Sequence, residues 1–155
     1  MLANLKKYKM SKARTGAAMV EMAFVLVIFL MLFMGIIEYG RYYYLVQMAN
    51  NAVREGARYS VVHTGDGTTV TQVTDLVTTK MNGTNNMLSG FTVTLQNVNT
   101  STGAVITGTN WNDAQFGSAI MVRVSGTYTP LTPGLLFLTS SIAFSATTIM
   151  NSEGN

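Results

Sequence analysis

Hydrophobic residues run almost without interruption through the early part of the chain and only later become periodic. Glu21 is the only charged residue among the 21 residues from Ala17 to Ile37. A helix of that length rises about 31 Å, which matches the roughly 30 Å hydrocarbon core of a bilayer. The pattern therefore predicts a transmembrane helix over residues 17–38, with Glu21 in its first turn.

The helical pattern continues beyond the apolar run over residues 39–64. Small and apolar residues recur there at spacings of three and four, and no proline occurs before Pro130. Such spacing predicts an amphipathic continuation of the same helix to about Val62, with one face packed on the rest of the chain. That face comprises Leu45, Val46, Met48, Ala49, Ala52, Val53, Gly56 and Ala57.

Charged and aromatic residues follow the apolar run. Glu38 with Arg41, and Glu55 with Arg58, are acid–base pairs three residues apart, each worth a few tenths of a kcal/mol on a helix. Tyrosines at positions 39 and 42–44 lie where an interfacial aromatic belt is expected.

Residues 65–155 have the pattern of a small α+β domain. Val70–Met81 has the spacing of a short second helix, and the alternating segments after it predict an antiparallel sheet of three or four strands. The strands are predicted around residues 91–96, 120–128 and 140–150, with residues 104–107 as the optional fourth strand. The sheet is expected to cover the small-residue face of the long helix, because that face needs a partner layer.

Positive charge is concentrated at the N-terminus. The first 14 residues hold five Lys or Arg and no acid, whereas the chain from Ala17 onward holds 5 basic and 7 acidic residues. This asymmetry predicts a cytoplasmic N-terminus and an exported C-terminus. It does not indicate nucleic-acid binding, which needs basic residues on a folded face. The absence of cysteine excludes disulfides, thiolate metal sites and thiol nucleophiles.

Gly16, Ala17 and Glu21, followed by an unbroken apolar helix, resemble the prepilin peptidase site of type IV pilins and pseudopilins. The run GAAMVEMAF…GIIEYGRYYYLVQMANNAVREGARYSVV is similar to the TadE-like family of tight-adherence (Tad) pilus systems. The segments IIEYGR (36–41) and REGAR (54–58) carry the resemblance most specifically. The ending, YTPLTPGLLFL and SIAFSATTIMNSE, is more loosely similar. The resemblance implies a pilin-like α+β fold with an exported head.

The resemblance also implies roles for individual residues. Residues 1–16 would be a basic leader, removed by cleavage between Gly16 and Ala17. Glu21 would then register subunits by pairing with the new N-terminal amine of a neighbour, since a buried carboxylate is tolerated when a cation pairs with it. Contacts with other subunits or with the head domain are predicted for Tyr39, Arg41, Arg54, Glu55 and Arg58. For Arg54, Glu55 and Arg58, a solvated helix face is the other interpretation.

The implied function is that of a non-enzymatic minor pilin or pseudopilin in pilus assembly, surface adhesion or secretion. Met22 stands where the small major Tad pilin usually has tyrosine, and that pilin lacks a large C-terminal domain. The implied partners are prepilin peptidase, other pilins and minor pilins, the inner-membrane assembly platform and the lipid bilayer. The implied location is the inner membrane, with a single pass, and then a surface pilus. The alternative is an uncleaved single-pass anchor with a binding or sensor domain.

No arrangement of side chains predicts an enzyme, a metal site or a cofactor. His63, the single histidine, is at a helix end, where capping of the helix dipole explains it. Asp66, Asp75 and Asp113 share no metal-binding loop. The apolar run Leu135–Leu138 is interpreted as buried under the last strand, with contact to a membrane or partner as the alternative.

Overall fold

The structure is a computed structural model that describes residues 12–134 and 139–152. Its elements are α1 (Lys12–Val62), α2 (Val70–Lys80), short 3-10 helices at Thr84–Met87 and Trp111–Asp113, β1 (Leu88–Val98), β2 (Ala119–Tyr128) and β3 (Ile142–Asn151). The predicted α+β class, with a long first helix and a short second one, is confirmed. Residues 1–11 of the predicted leader and the run Leu135–Leu138 lie outside the described residues.

The helix α1 is 51 residues long and ends at Val62, as its apolar spacing predicts. Within the described residues, one stretch of α1, in a helical run that begins at Gly16, is long and apolar enough to cross a bilayer. Its most apolar window has a mean hydropathy of 2.8, and none of that window is buried. The first half of α1 therefore projects away from the remainder of the fold.

The three strands form one antiparallel sheet in the order β1-β2-β3. The register between β2 and β3 is continuous, whereas β1 shifts against β2 between Ser89 and Thr92. Of the three or four strands predicted, three are formed, and residues 104–107 do not add the fourth. Only a single bridge joins Val98 and Val105, because a turn closed by the Gly103 N–H to the Asn99 carbonyl (2.8 Å) leaves too short a run for pairing.

The second half of α1 packs against α2, β2 and β3. The predicted small-residue face of α1 is buried there, and Leu45, Ala49, Ala52, Val53 and Ala57 are fully inaccessible to solvent. These residues share a core with Val73 and Val77 of α2 and with Ile120, Val122 and Val124 of β2. We call the part of the chain from residue 65 onward, together with this second half of α1, the head.

Gly56 lies where α1 approaches α2 and β2 most tightly. A Cβ atom built on Gly56 would lie 2.5 Å from Val77 Cγ2 and 3.5 Å from Val122 Cγ1. Since carbon atoms pack at about 3.5–4.0 Å, only glycine fits without displacing Val77. This contact explains the glycine in the REGAR segment.

The helix α2 begins and ends at residues that suit its boundaries. Thr69 and Gln72 form a capping box, in which the Thr69 N–H donates to Gln72 Oε1 at 2.8 Å. After the helix, Asn82 and Gly83 both have positive φ angles, of 48° and 81°, which Asn and Gly tolerate better than other residues. The NGTNN segment at residues 82–86 thus closes α2.

Candidate functional site at the base of the head

Glu38 is a buried carboxylate at the point where the apolar run of α1 ends. Its exposure is only 5%. The Tyr128 hydroxyl donates a hydrogen bond to Glu38 Oε1, and the Leu131 N–H donates to Oε2 at 3.0 Å. Both carboxylate oxygens are therefore bonded to a segment more than 85 residues away in sequence, which ties the end of β2 to α1.

Arg41 lies one turn further along α1 and completes this arrangement. Its Nη1 atom is 3.6 Å from Glu38 Oε1, so the predicted i,i+3 pair is formed. The guanidinium carbon is 6.0 Å from the centre of the Tyr128 ring, within the range of a cation–π contact. Among the described residues, Nη1 is buried without a hydrogen-bond acceptor. We call Glu38, Arg41, Tyr128 and the Leu131 N–H the base cluster.

Tyr128 is held in the base cluster by aromatic packing as well as by its hydrogen bond. Its ring meets Tyr42 edge to face at 5.2 Å between centroids, and Tyr42 meets Phe144 of β3 at 6.3 Å. Burial, together with the hydrogen bond to Glu38, raises the pKa of Tyr128 to about 12. The phenol therefore stays protonated near neutral pH and remains a donor to the carboxylate.

A small cavity of about 190 Å³ lies next to the base cluster. We call it the base cavity. Besides Glu38, its walls are formed by Gly35, Tyr39, Tyr42, Tyr128, Pro130 and Ile142. The described surface that faces the cavity is almost entirely apolar, and each oxygen of Glu38 already accepts one hydrogen bond from the head.

The three residues of the predicted processing and registration site lie far from the base cluster along α1. Gly16, Ala17 and Glu21 are all exposed and helical. About 17 helical residues separate Glu21 from Glu38, a rise of roughly 25 Å. No described residue pairs with Glu21 by an ion pair or hydrogen bond. Cleavage at this junction and registration by Glu21 remain predictions.

The other predicted contact residues of α1 differ in their surroundings. Arg54 and Arg58 are exposed. Glu55 is not paired with Arg58 in the described part of the chain; its Oε1 lies 3.5 Å from Lys80 Nζ of α2 instead. Both partners are about half exposed, so the Glu55–Lys80 pair is worth at most about 1 kcal/mol.

Tyr39 and Arg41 lie on different sides of the helix. Tyr39 is 71% exposed, and its ring stacks on Tyr43 at 6.3 Å while its side chain also borders the base cavity. Arg41 instead packs against the head through the base cluster. The structure thus places Arg41 in the base cluster and Tyr39 at the adjoining base cavity. Arg54, Glu55 and Arg58 lie outside both.

Sequence reasoning missed Tyr128 and Leu131, and it treated Glu38 only as a partner of Arg41. A signal for the burial of Glu38 was present. Glu38, Tyr42 and Leu45 continue, at spacings of four and three, the stripe that reaches Ala49 and Ala52. A carboxylate in that stripe requires a buried donor, although the sequence does not show which residue supplies it.

The tip of the head shows turn and cap chemistry. His63 Nδ1 lies 2.8 Å from the Tyr59 carbonyl oxygen, and the two rings stack at 4.0 Å. Asp66 Oδ1 accepts from the Thr68 N–H at 2.9 Å, and hydrogen bonds from Thr68 lower the pKa of Asp66. Within residues 12–134 and 139–152, no three acidic or histidine side chains come together as metal ligands.

The fold and the base cluster define a class of protein: an α+β head built on the second half of a long helix whose first half is apolar on all sides. Residues 16–58 match the family model described as TadE-like protein. The matched segment lies within α1 and includes Glu38, Arg41 and Gly56. The resemblance to the TadE-like family is thereby confirmed for this segment. No curated protein and no solved structure gave a significant match.

Proposed function

We propose that this protein is a non-enzymatic minor pilin or pseudopilin of a Tad pilus system. The observation that carries the proposal is the TadE-like match over residues 16–58, on a helix whose first half is unburied and whose second half carries a folded head. A pilus subunit needs both parts: an apolar helix that other helices can pack on, and a head that determines the surface of the assembly.

The exposed half of α1 supports lateral packing with other subunits. Apolar side chains such as Phe24, Ile28 and Leu32 are each more than half exposed. In the bilayer they contact lipid, and in a filament they contact the helices of neighbouring pilins and minor pilins. We propose that the subunit passes from the bilayer into the filament at the inner-membrane assembly platform. Its N-terminus is then cytoplasmic and its head is exported.

Leader removal is the first step of the proposed mechanism. Prepilin peptidase cuts between Gly16 and Ala17, and the new amine on Ala17 pairs with Glu21 of an adjacent subunit. Glu21 has no ionic partner among the described residues of its own chain, which is consistent with an intermolecular partner. Pairing would remove most of the cost of placing this carboxylate in hydrocarbon.

The mature N-terminus tests this proposal directly. The protein is extracted from membranes of a host with an active prepilin peptidase and from the same host without it, and both samples are analysed by intact mass and N-terminal sequencing. We expect loss of Met1–Gly16 in the first host only. Retention of the leader in both hosts would contradict the proposal and favour the uncleaved membrane-anchored binding or sensor domain.

The role of Glu21 requires a separate test. We expect Glu21→Ala to be cleaved like the wild type but to be incorporated poorly into pili, measured as the ratio of filament-associated to membrane-associated protein. Met22→Ala, a substitution at the adjacent exposed position, is the control and should behave like the wild type. Normal incorporation of Glu21→Ala would refute registration by this carboxylate.

A further inference from the structure

We propose that the base cavity binds the acyl chain of a phospholipid from the leaflet on the head side of the membrane. This inference rests on membrane insertion of α1, as in the proposed function, but not on leader cleavage. The site combines an apolar cavity, an exposed apolar rim and an arginine, at the level where α1 leaves the bilayer.

The position of the cavity along α1 places it at the membrane surface. Gly35 lies inside the apolar run that ends at Ile37, and Glu38 and Tyr39 follow directly. The hydrogen bond from the Leu131 N–H to Glu38 brings the segment around Pro130 to the same level. The cavity therefore lies between the last turn of the membrane-spanning run and the lowest part of the head.

The rim of the cavity is apolar and exposed. Tyr39 on the cavity wall is 71% exposed, and Leu131, next to the wall residue Pro130, is 65% exposed. Side chains of this kind are unfavourable in water but suit the interfacial region of a bilayer, where tyrosine is enriched. The rim is thus continuous with the apolar surface of α1 that faces lipid.

The size and chemistry of the cavity select an acyl chain over a polar metabolite. Pockets for compact small molecules usually measure about 300–1,000 Å³, whereas the base cavity measures about 190 Å³, which suits part of a chain. Glu38 is the only charged group among the described residues of its walls, and the described lining is otherwise almost entirely apolar. A water molecule would therefore find few partners there.

Arg41 provides a complementary group for the phosphate. Its side chain is about one quarter exposed (27%), and its guanidinium carbon lies 6.0 Å from the ring centre of Tyr128, a wall residue of the cavity. Arginine binds phosphate oxygens through a planar fork of donors. A headgroup phosphate on the exposed part of Arg41 would therefore bring the attached acyl chain to the Tyr128 side of the cavity.

Gly35 and Gly40 provide a matched pair of variants for the test. Gly35 is part of the cavity wall, whereas a Cβ atom on Gly40 would meet no atom within 4 Å. Leucine at position 35 is expected to reduce the volume of the cavity, because Gly35 is in its wall, while leucine at position 40 adds the same side chain to the same helix in open space. Gly35→Ala serves as a smaller change at the same position, should Gly35→Leu disturb the fold.

The experiment measures lipid retention by native mass spectrometry. Full-length protein is reconstituted in nanodiscs of a defined phosphatidylglycerol and phosphatidylethanolamine mixture and released into a delipidating detergent. We expect the wild type and Gly40→Leu to keep one phospholipid. Gly35→Leu should retain it at least about tenfold less, because each buried methylene contributes roughly a fourfold factor in affinity, and Gly35→Ala should show an intermediate loss.

Three outcomes would overturn the proposal. Equal retention by Gly35→Leu and the wild type would show unspecific lipid, and absence of lipid from the wild type would show an empty cavity. A photoreactive side chain at Tyr39 that crosslinks to a neighbouring pilin helix, and not to lipid, would assign the cavity to a subunit contact. Each result is independent of the mature N-terminus, so failure here and failure of the pilin proposal are distinguishable.

Discussion

The two halves of α1 belong to one uninterrupted helix but have opposite environments. Between Met19 and Ile37 nearly every large apolar side chain is more than one third exposed, whereas Leu45, Ala49 and Val53 are completely buried. The first half carries large residues on all sides, and the second half carries a stripe of small ones. A helix with large apolar side chains on every face can pack against several neighbours at once. A helix with one stripe of small residues packs closely against a single partner along that stripe.

The largest expected difference concerns the two glutamates, one in each half. Glu38→Ala leaves the Tyr128 hydroxyl and the Leu131 N–H without their buried acceptor, and it leaves Arg41 without its buried counter-ion. We expect the free energy of unfolding in detergent to fall by about 3–5 kcal/mol, measured by denaturant titration with the fluorescence of the buried Trp111 as the reporter. Glu21→Ala, at an exposed position, should change it by less than about 0.5 kcal/mol. Equal effects would show that the base cluster does not stabilise the head.

Two leucines allow the same comparison for apolar packing. Leu45→Ala opens a cavity in the fully buried core and should lower the free energy of unfolding by about 2–5 kcal/mol. Leu32→Ala, at a position 58% exposed, should leave the unfolding of the head unchanged in the same titration. A large effect of Leu32→Ala would mean that the first half of α1 also packs on the head.

Because the pKa of Tyr128 is raised, the contribution of the base cluster to the free energy of unfolding should depend on pH in the alkaline range. Because its folded pKa of about 12 exceeds the usual value near 10, the folded state holds the phenol proton more tightly than the unfolded state. The stabilisation is complete below pH 10 and is lost as the pH rises towards 12, at roughly 1 kcal/mol per pH unit. The slope of the free energy of unfolding against pH, above pH 10, should flatten in Tyr128→Phe. It should persist in Tyr43→Phe, because the side chain of Tyr43 is exposed. An unchanged slope in Tyr128→Phe would contradict this assignment.

The two helix glycines 40 and 56 should respond to alanine with opposite signs. Gly56→Ala forces a methyl group to 2.5 Å from Val77 Cγ2, and overpacking of about 1–3 kcal/mol should outweigh the gain of about 1 kcal/mol in helix propensity. Gly40→Ala has open space around it and should stabilise the helix by about 0.5–1 kcal/mol. Thermal unfolding of both variants measures the difference, and stabilisation by Gly56→Ala would mean that α1 and α2 are not in close contact.

The local elements of the fold could be predicted because local patterns determine them. The end of α1 at Val62, the helix α2 and the strands β2 and β3 follow from apolar spacing and from turn residues such as Asn82 and Gly83. The run at residues 104–107 left the number of strands open at three or four, since alternation over four residues does not reveal that the adjacent turn limits pairing to the single bridge between Val98 and Val105.

The site itself could be predicted only in part, because its members come from distant parts of the chain. The sequence indicated that Glu38 and Arg41 are neighbours, since they lie three residues apart on a helix. It did not indicate Tyr128 or the Leu131 N–H, about 90 residues away, because only the docking of the sheet on α1 brings them together. Glu55 pairs with Lys80 and not with the predicted Arg58 for the same reason, since only the docking of α2 on α1 brings Lys80 close.

The base cluster also determines how readily one head could be replaced by another on the same helix. From the α1 side it supplies one carboxylate, and from the head side it needs one hydroxyl and one backbone N–H. A backbone N–H is available at any residue except proline, so at the base cluster an unrelated sheet domain would need a specified side chain at a single position, that of Tyr128. A chimera that keeps residues 16–58 should therefore dock in the same orientation when its sheet covers the small-residue face of α1 and presents a tyrosine and a non-proline N–H at the same spacing.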